Sequence, residues 1–209
     1  MNSVLQRKYS AGISLMEVLI TMIIILIGLL GIVALQAKAQ VAELEAYQRA
    51  QALILLSDIT DRLNVNRATA TCFDITTNAT TGAPYLGVDG SGHYGSATCT
   101  ASTTEYNDLA IATLEEIDAT LKGTAEALAG ASVGAMVGAR ACISYDDTTE
   151  LLNESGAAVP GTGLYKVIIT WQGMGGLVEP AGMPCAVGLY GSETQRRAVA
   201  TSIRLANLY

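Results

Sequence analysis

Four cysteines, Cys72, Cys99, Cys142 and Cys185, are the residues of this chain best able to form a covalent bond or hold a metal. None belongs to a C-x-x-C pair, so the spacing of a zinc site is missing. All four lie beyond a long apolar N-terminal segment. They read as two disulfides formed in an oxidising compartment, the alternative being four buried thiols. The single histidine, His93, has no clustered ligands and no evident nucleophile near it, and reads as a solvated loop residue. Glu115, Glu116 and Asp118 fall within a helical run, where they read as a solvated face rather than a catalytic dyad. HExxH and P-loop motifs are absent and the one histidine lacks an evident nucleophile partner, so the residues point to no enzyme, no cofactor and no metal. Glu17 is the one carboxylate whose position asks for a functional reason, because it interrupts an apolar stretch.

Residues 18–35 carry no charge, and residues 13–16 extend the apolar run on the other side of Glu17. At about 1.5 Å per helical residue the stretch is long enough to span a hydrocarbon layer of about 30 Å. Arg7 and Lys8 precede it, and basic residues flanking a first span stay on the cytoplasmic side, which places the rest of the chain outside the cytoplasm. A secretory signal peptide is the competing reading, with Ala37-Lys38-Ala39 as its small-residue exit. Its apolar region is normally about 7 to 15 residues, shorter than this one, and carries no internal carboxylate. A charge at mid-bilayer costs about 2.5 to 3.5 kcal/mol, so Glu17 calls for a partner.

The residues Gly12-Ile13-Ser14-Leu15-Met16-Glu17 resemble the prepilin processing site of type IV pilins. The resemblance implies a cytoplasmic leader, residues 1–12, removed by a prepilin peptidase that cuts between Gly12 and Ile13. It also implies N-methylation of Ile13, where phenylalanine is commoner in the family. Glu17 would be the pilin glutamate used in assembly, pairing with the N-terminal ammonium of a neighbouring subunit and setting axial register. The alternative for Glu17 is a side chain that only snorkels to the headgroups.

These residues need elements to position them. Proline is missing from residues 13–68, and Ala, Leu, Gln and Glu dominate after the apolar run, which predicts one long helix. Its first half, 13–35, is the membrane or filament-core segment, and its second half, 36–68, is extracytoplasmic. Ala52, Leu55, Leu56, Ile59 and Leu63 recur at helical spacing and predict a face packed on a sheet. Gly28 and Gly31 lie in the apolar half without forming a GxxxG motif.

Residues 69–209 then read as a periplasmic globular domain. Gly87-Val88-Asp89-Gly90-Ser91-Gly92 is a turn-and-loop signal. Asn107 or Asp108 is the expected cap of a second helix carrying Leu109, Ile111, Leu114, Ile117 and Leu121. Three runs, 139–145, 164–171 and 197–205, predict strands, with Tyr165, Val167, Ile169 and Trp171 on one face. The expected fold is α+β, a type IV pilin fold with the long helix on an antiparallel sheet of at least three strands. Four cysteines allow three connectivities; sequence neighbourhood favours Cys72 with Cys99 and Cys142 with Cys185.

Residues 61–67, 169–172 and 195–199 are similar to segments of the PilV-type minor pilins, the type IV pilus modification proteins. That resemblance implies a structural subunit in pilus assembly, with other pilins, the prepilin peptidase and the inner membrane as partners and the pilus surface as destination. A pseudopilin of a type II secretion system shares the processing motif. A third reading is a ligand or DNA receptor displayed on the filament, and a net charge of -7 disfavours DNA unless Arg196 and Arg197 join other basic residues in space.

Overall fold

The computed structural model describes residue 12, residues 14–123, 127–128, 131–132 and 136–205. Arg7, Lys8 and Ile13, which bear on membrane orientation and N-methylation, lie outside the described residues. The chain divides into two compact units, Met1–Leu44 and Glu45–Tyr209. Helix α1, Leu15–Val65, contributes to both and is unbroken over 51 residues. Gly28 and Gly31 do not interrupt it, and nothing lies within 4 Å of where their Cβ atoms would stand.

In the second unit α1 buries Ala52, Leu56, Ile59 and Leu63. Their spacing places them on one stripe, and each fully buried Leu or Ile contributes about 1.5 to 3 kcal/mol. The helix stops at Val65, and Asn66 turns its side chain back to the Arg62 carbonyl at 2.9 Å. Arg67 Nε donates to the Asn64 carbonyl at 2.9 Å, so two of the last carbonyls of the helix find partners. A 3₁₀ turn, Arg67–Phe73, follows and buries Phe73.

The sheet is antiparallel, in the order β1-β4-β5-β6, formed by Leu86–Gly87, Arg140–Asp146, Leu164–Gln172 and Arg196–Arg204. Two further strands, β2 (Ala127–Leu128) and β3 (Ala131–Ser132), pair with each other. Register sets Ile143 opposite Val167 and Val167 opposite Thr201, so one face presents Ile143, Tyr165, Val167, Ile169, Trp171 and Val199 to the α1 stripe. The result is α+β, a long helix packed on a four-stranded antiparallel sheet.

The opposite face of the sheet is covered as well. Tyr85, Cys142, Ile168, Cys185, Ala186 and Tyr190 form a second apolar cluster. Strand β5 is therefore buried on both faces over Val167–Trp171, where simple alternation predicts burial on one.

Helix α2, Thr104–Leu121, begins earlier than either expected cap. Thr103 is the N-cap, and Asn107, already inside the helix, reaches back to the preceding chain. Its side chain accepts from Ser102 N at 2.9 Å and donates to Ser102 O at 2.8 Å. Neither Asn107 nor Asp108 is the cap. Leu114, Ile117 and Leu121 of α2 join the main core with Ala110.

Candidate functional site

The first turn of α1 is built by its own sequence. Ser14 accepts from Met16 N through Oγ at 3.4 Å, and its carbonyl accepts from Glu17 N at 3.0 Å. Ser14 thus stands as N-cap, with Glu17 three positions on, the spacing of a capping box. A carboxylate in the first turn also meets the positive end of the helix dipole, an effect of about 0.3 to 1 kcal/mol. That dipole contribution is legible in the Ser-x-x-Glu spacing and needs no partner outside the helix. Among the described residues its side chain has no hydrogen-bond or ion-pair partner.

Beyond Glu17, every residue from 18 to 35 is exposed. Ile20, Ile24, Leu26, Ile27 and Leu30 are examples, the last at 69%. The helix is long and apolar enough to cross a membrane, with a mean hydropathy of 3.1 over its most apolar window. A continuous apolar surface of this extent is not left in water by a monomer. Its composition suits lipid or other apolar helices.

The second unit is held by two disulfides. Cys72 and Cys99 are joined with Cα atoms 5.3 Å apart, and Cys142 and Cys185 with Cα atoms 5.7 Å apart. The first ties the turn after α1 to the segment leading into α2. The second fastens the irregular segment over the outer sheet face to β4. On chain entropy, closures of 27 and 43 residues are each worth about 4 kcal/mol.

His93 is not a solvated loop residue. Its Nε2 lies 2.8 Å from Asp118 Oδ1, and its Nδ1 accepts from Gly95 N at 3.0 Å. These contacts fix the neutral tautomer with the proton on Nε2. Asp118 also accepts from Gly87 N at 2.7 Å and pairs with Lys122 at 2.8 Å. Lys122 reaches Asp89 at 3.0 Å, so one carboxylate of α2 organises the glycine-rich loop. Burial pushes the Asp118 carboxyl up, but bonds from Lys122, Gly87 N and His93 outweigh it and hold the carboxyl below its ordinary range. Burial likewise disfavours the Lys122 ammonium, and Asp118 and Asp89 more than restore it. Asp118 therefore does not belong to the solvated face that its helical spacing predicts. Glu116 is exposed, as expected, but bonds Arg62 at 2.7 Å and joins α2 to α1.

Arg196 and Arg197 do not make a basic patch. Neighbours in a strand point to opposite faces, so the doublet is split. Arg196, on the outer face, is 2% exposed, pairs with Glu193 at 2.5 Å and donates to the Met183 carbonyl at 2.7 Å. Arg197, on the helix side, pairs with Glu45 at 2.9 Å and donates to the Gly175 and Thr194 carbonyls. Glu45 also accepts from Met174 N at 3.1 Å. Gly173 leaves room for this arrangement, since a Cβ there would stand 2.6 Å from Arg197 Cζ. The hydrogen bond from Arg197 holds the Glu45 carboxyl below its ordinary range, against a smaller opposing effect of burial.

A second buried guanidinium, Arg140, lies 5.3 Å from the Tyr85 ring centroid and 5.1 Å from that of Tyr190. It donates to the Val88, Asp89 and Gly138 carbonyls. These basic groups are consumed in holding loops and strands together. Among the described residues no group of His, Cys, Asp and Glu is arranged to hold a metal. Comparison with protein-family models, curated proteins and solved structures gave no match.

Proposed function

We propose that the chain is a structural subunit of a type IV pilin-like filament, of the minor-pilin kind, and that it acts without catalysis. The observation that carries the reading is the helix α1: one uninterrupted element, Leu15–Val65, whose residues 18–35 have no cover among the described residues and whose sequence is preceded by Gly12-Ile13-Ser14. A folded unit stapled by two disulfides is the other half of such a subunit. Before assembly the apolar helix resides in the inner membrane, with the disulfide-bonded unit in the periplasm. After cleavage by a prepilin peptidase and methylation of Ile13, the same surface is transferred from lipid to the helices of neighbouring pilins, and the subunit reaches the pilus.

Glu17 has a defined task in this scheme. The leader, while present, gives the chain no free amine at residue 13; cleavage creates one. A neighbour's ammonium entering an apolar bundle needs a counter-charge, and leaving a buried charge unpaired costs about 3 to 5 kcal/mol. Glu17→Val is expected to leave cleavage and membrane insertion intact and to lower the ratio of this protein in sheared pili to that in the inner membrane by more than about tenfold. A mutant that is cleaved, methylated and recovered in pili at the wild-type ratio removes the assembly role and leaves Glu17 as a side chain that only snorkels to the headgroups.

A further inference from the structure

The outer face of the sheet is not covered along its whole length. Between the segment that follows the 3₁₀ turn and the segment preceding Cys185 it opens into a groove of about 310 Å³, at the lower end of the range for small-ligand sites. Strands β4 and β5 form the floor, where Ser144 and Lys166 stand directly opposite one another in register. Thr77 and Asn78 line one side, and Ile168 and Pro184 supply apolar surface.

The Thr76 and Tyr145 hydroxyls in the lining are spent on the Pro84 carbonyl and on Glu150, but four other polar groups keep unspent donors. Lys166 Nζ uses one proton on the Gly182 carbonyl at 2.7 Å, and no carboxylate pairs with it among the described residues. The Asn78 carbonyl oxygen is occupied by Thr80 N and Thr81 N, which leaves its NH₂ as the free end. The hydroxyls of Ser144 and Thr77 have no side-chain hydrogen bond among the described residues. The chain carries seven more acidic than basic groups, yet no residue lining the groove is acidic. An ammonium, an amide NH₂ and two hydroxyls around a small apolar floor match a ligand with one carboxylate, several hydroxyls and a CH face.

We propose that this groove binds a single acidic sugar residue, a uronate, with its carboxylate on Lys166 and its hydroxyls on Ser144, Thr77 and Asn78. Binding here is independent of whether the chain enters a filament. The probe is D-glucuronate, titrated against the full chain in detergent by ligand-observed NMR, with protein-free micelles subtracted. Saturable binding in about the millimolar range is expected. Lys166→Gln weakens it by at least about tenfold, the effect of losing a charge-assisted bond, and Lys166→Arg restores most of it. Ser144→Ala, which breaks no side-chain bond within the fold, weakens it by about fivefold. D-glucose and acetate each compete poorly, since one lacks the charge and the other the hydroxyls. Failure to saturate up to about 100 mM overturns the proposal, as does wild-type affinity in Lys166→Gln and Ser144→Ala. Equal competition by D-glucose or by acetate overturns the sugar-acid assignment.

Discussion

Arg197→Met removes the guanidinium that joins β6 to α1 while keeping most of the apolar stem. Four contacts disappear: two to Glu45, at 2.9 and 3.4 Å, and one each to the Gly175 and Thr194 carbonyls. Counting each as a full charge-assisted bond would overstate the loss, because they share one group and one geometry. The exposed-pair limit is about 1 kcal/mol and the broken buried-pair limit about 3 to 5 kcal/mol. The side chains are 12% and 24% exposed, which places this pair between the two. We therefore expect a loss of about 2 to 3 kcal/mol, or about 5 to 10 °C in Tm for a unit of this size.

The sign of the pH dependence follows from Glu45. Its folded pKa is depressed, so its contribution is fully present above the unfolded value, about 4.3, and is lost as pH falls through the folded value. The gap between wild type and Arg197→Met should accordingly narrow from pH 7 towards pH 3. Thermal unfolding of the full chain in detergent, followed by circular dichroism at each pH, gives both quantities. A Tm change under about 1 °C at neutral pH, or a gap that widens on acidification, would refute the reasoning.

Asp118→Ala should release the glycine-rich loop, exposing the amide of Gly87 to faster hydrogen exchange and costing about 2 to 3 kcal/mol, since a buried backbone donor and His93 lose their acceptor together. The same loop should loosen in wild type as acid protonates Asp118, whose stabilisation is present above its unfolded pKa and lost below its depressed folded one. Cys142→Ala with Cys185→Ala should cost about 4 kcal/mol and free the segment over the outer sheet face, whereas non-reducing peptide mapping of wild type should return Cys72 with Cys99 and Cys142 with Cys185. A Cys99–Cys142 peptide would contradict the connectivity.

The parts of this fold that repeat with a period were legible in the sequence. Ala52, Leu55, Leu56, Ile59 and Leu63 announce a buried helix stripe, and Tyr165, Val167, Ile169 and Trp171 a buried strand face; all occupy the core as their spacing predicts except Leu55, which packs half-buried at its edge. What covers the outer face was not legible, because Cys185, Ala186 and Tyr190 lie in irregular chain that carries no period. Long-range ion pairs leave no local signal either: Arg62 and Glu116 are 54 residues apart, Glu45 and Arg197 152. His93 looked idle because its partner, Asp118, lies 25 residues on in α2. Two further features are legible in the sequence. Ser14 and Glu17 have capping-box spacing, and the Arg196-Arg197 doublet, once placed in a strand, must divide between two faces.

The central claim is that α1 enters a filament as a processed pilin helix. Intact-mass and N-terminal peptide analysis of this chain, recovered from sheared surface filaments, tests it most directly. The account predicts a polypeptide beginning at N-methylated Ile13 with both disulfides closed. A chain that begins at Met1 or near Gln40, or one confined to the inner membrane while filaments are abundant, would contradict it.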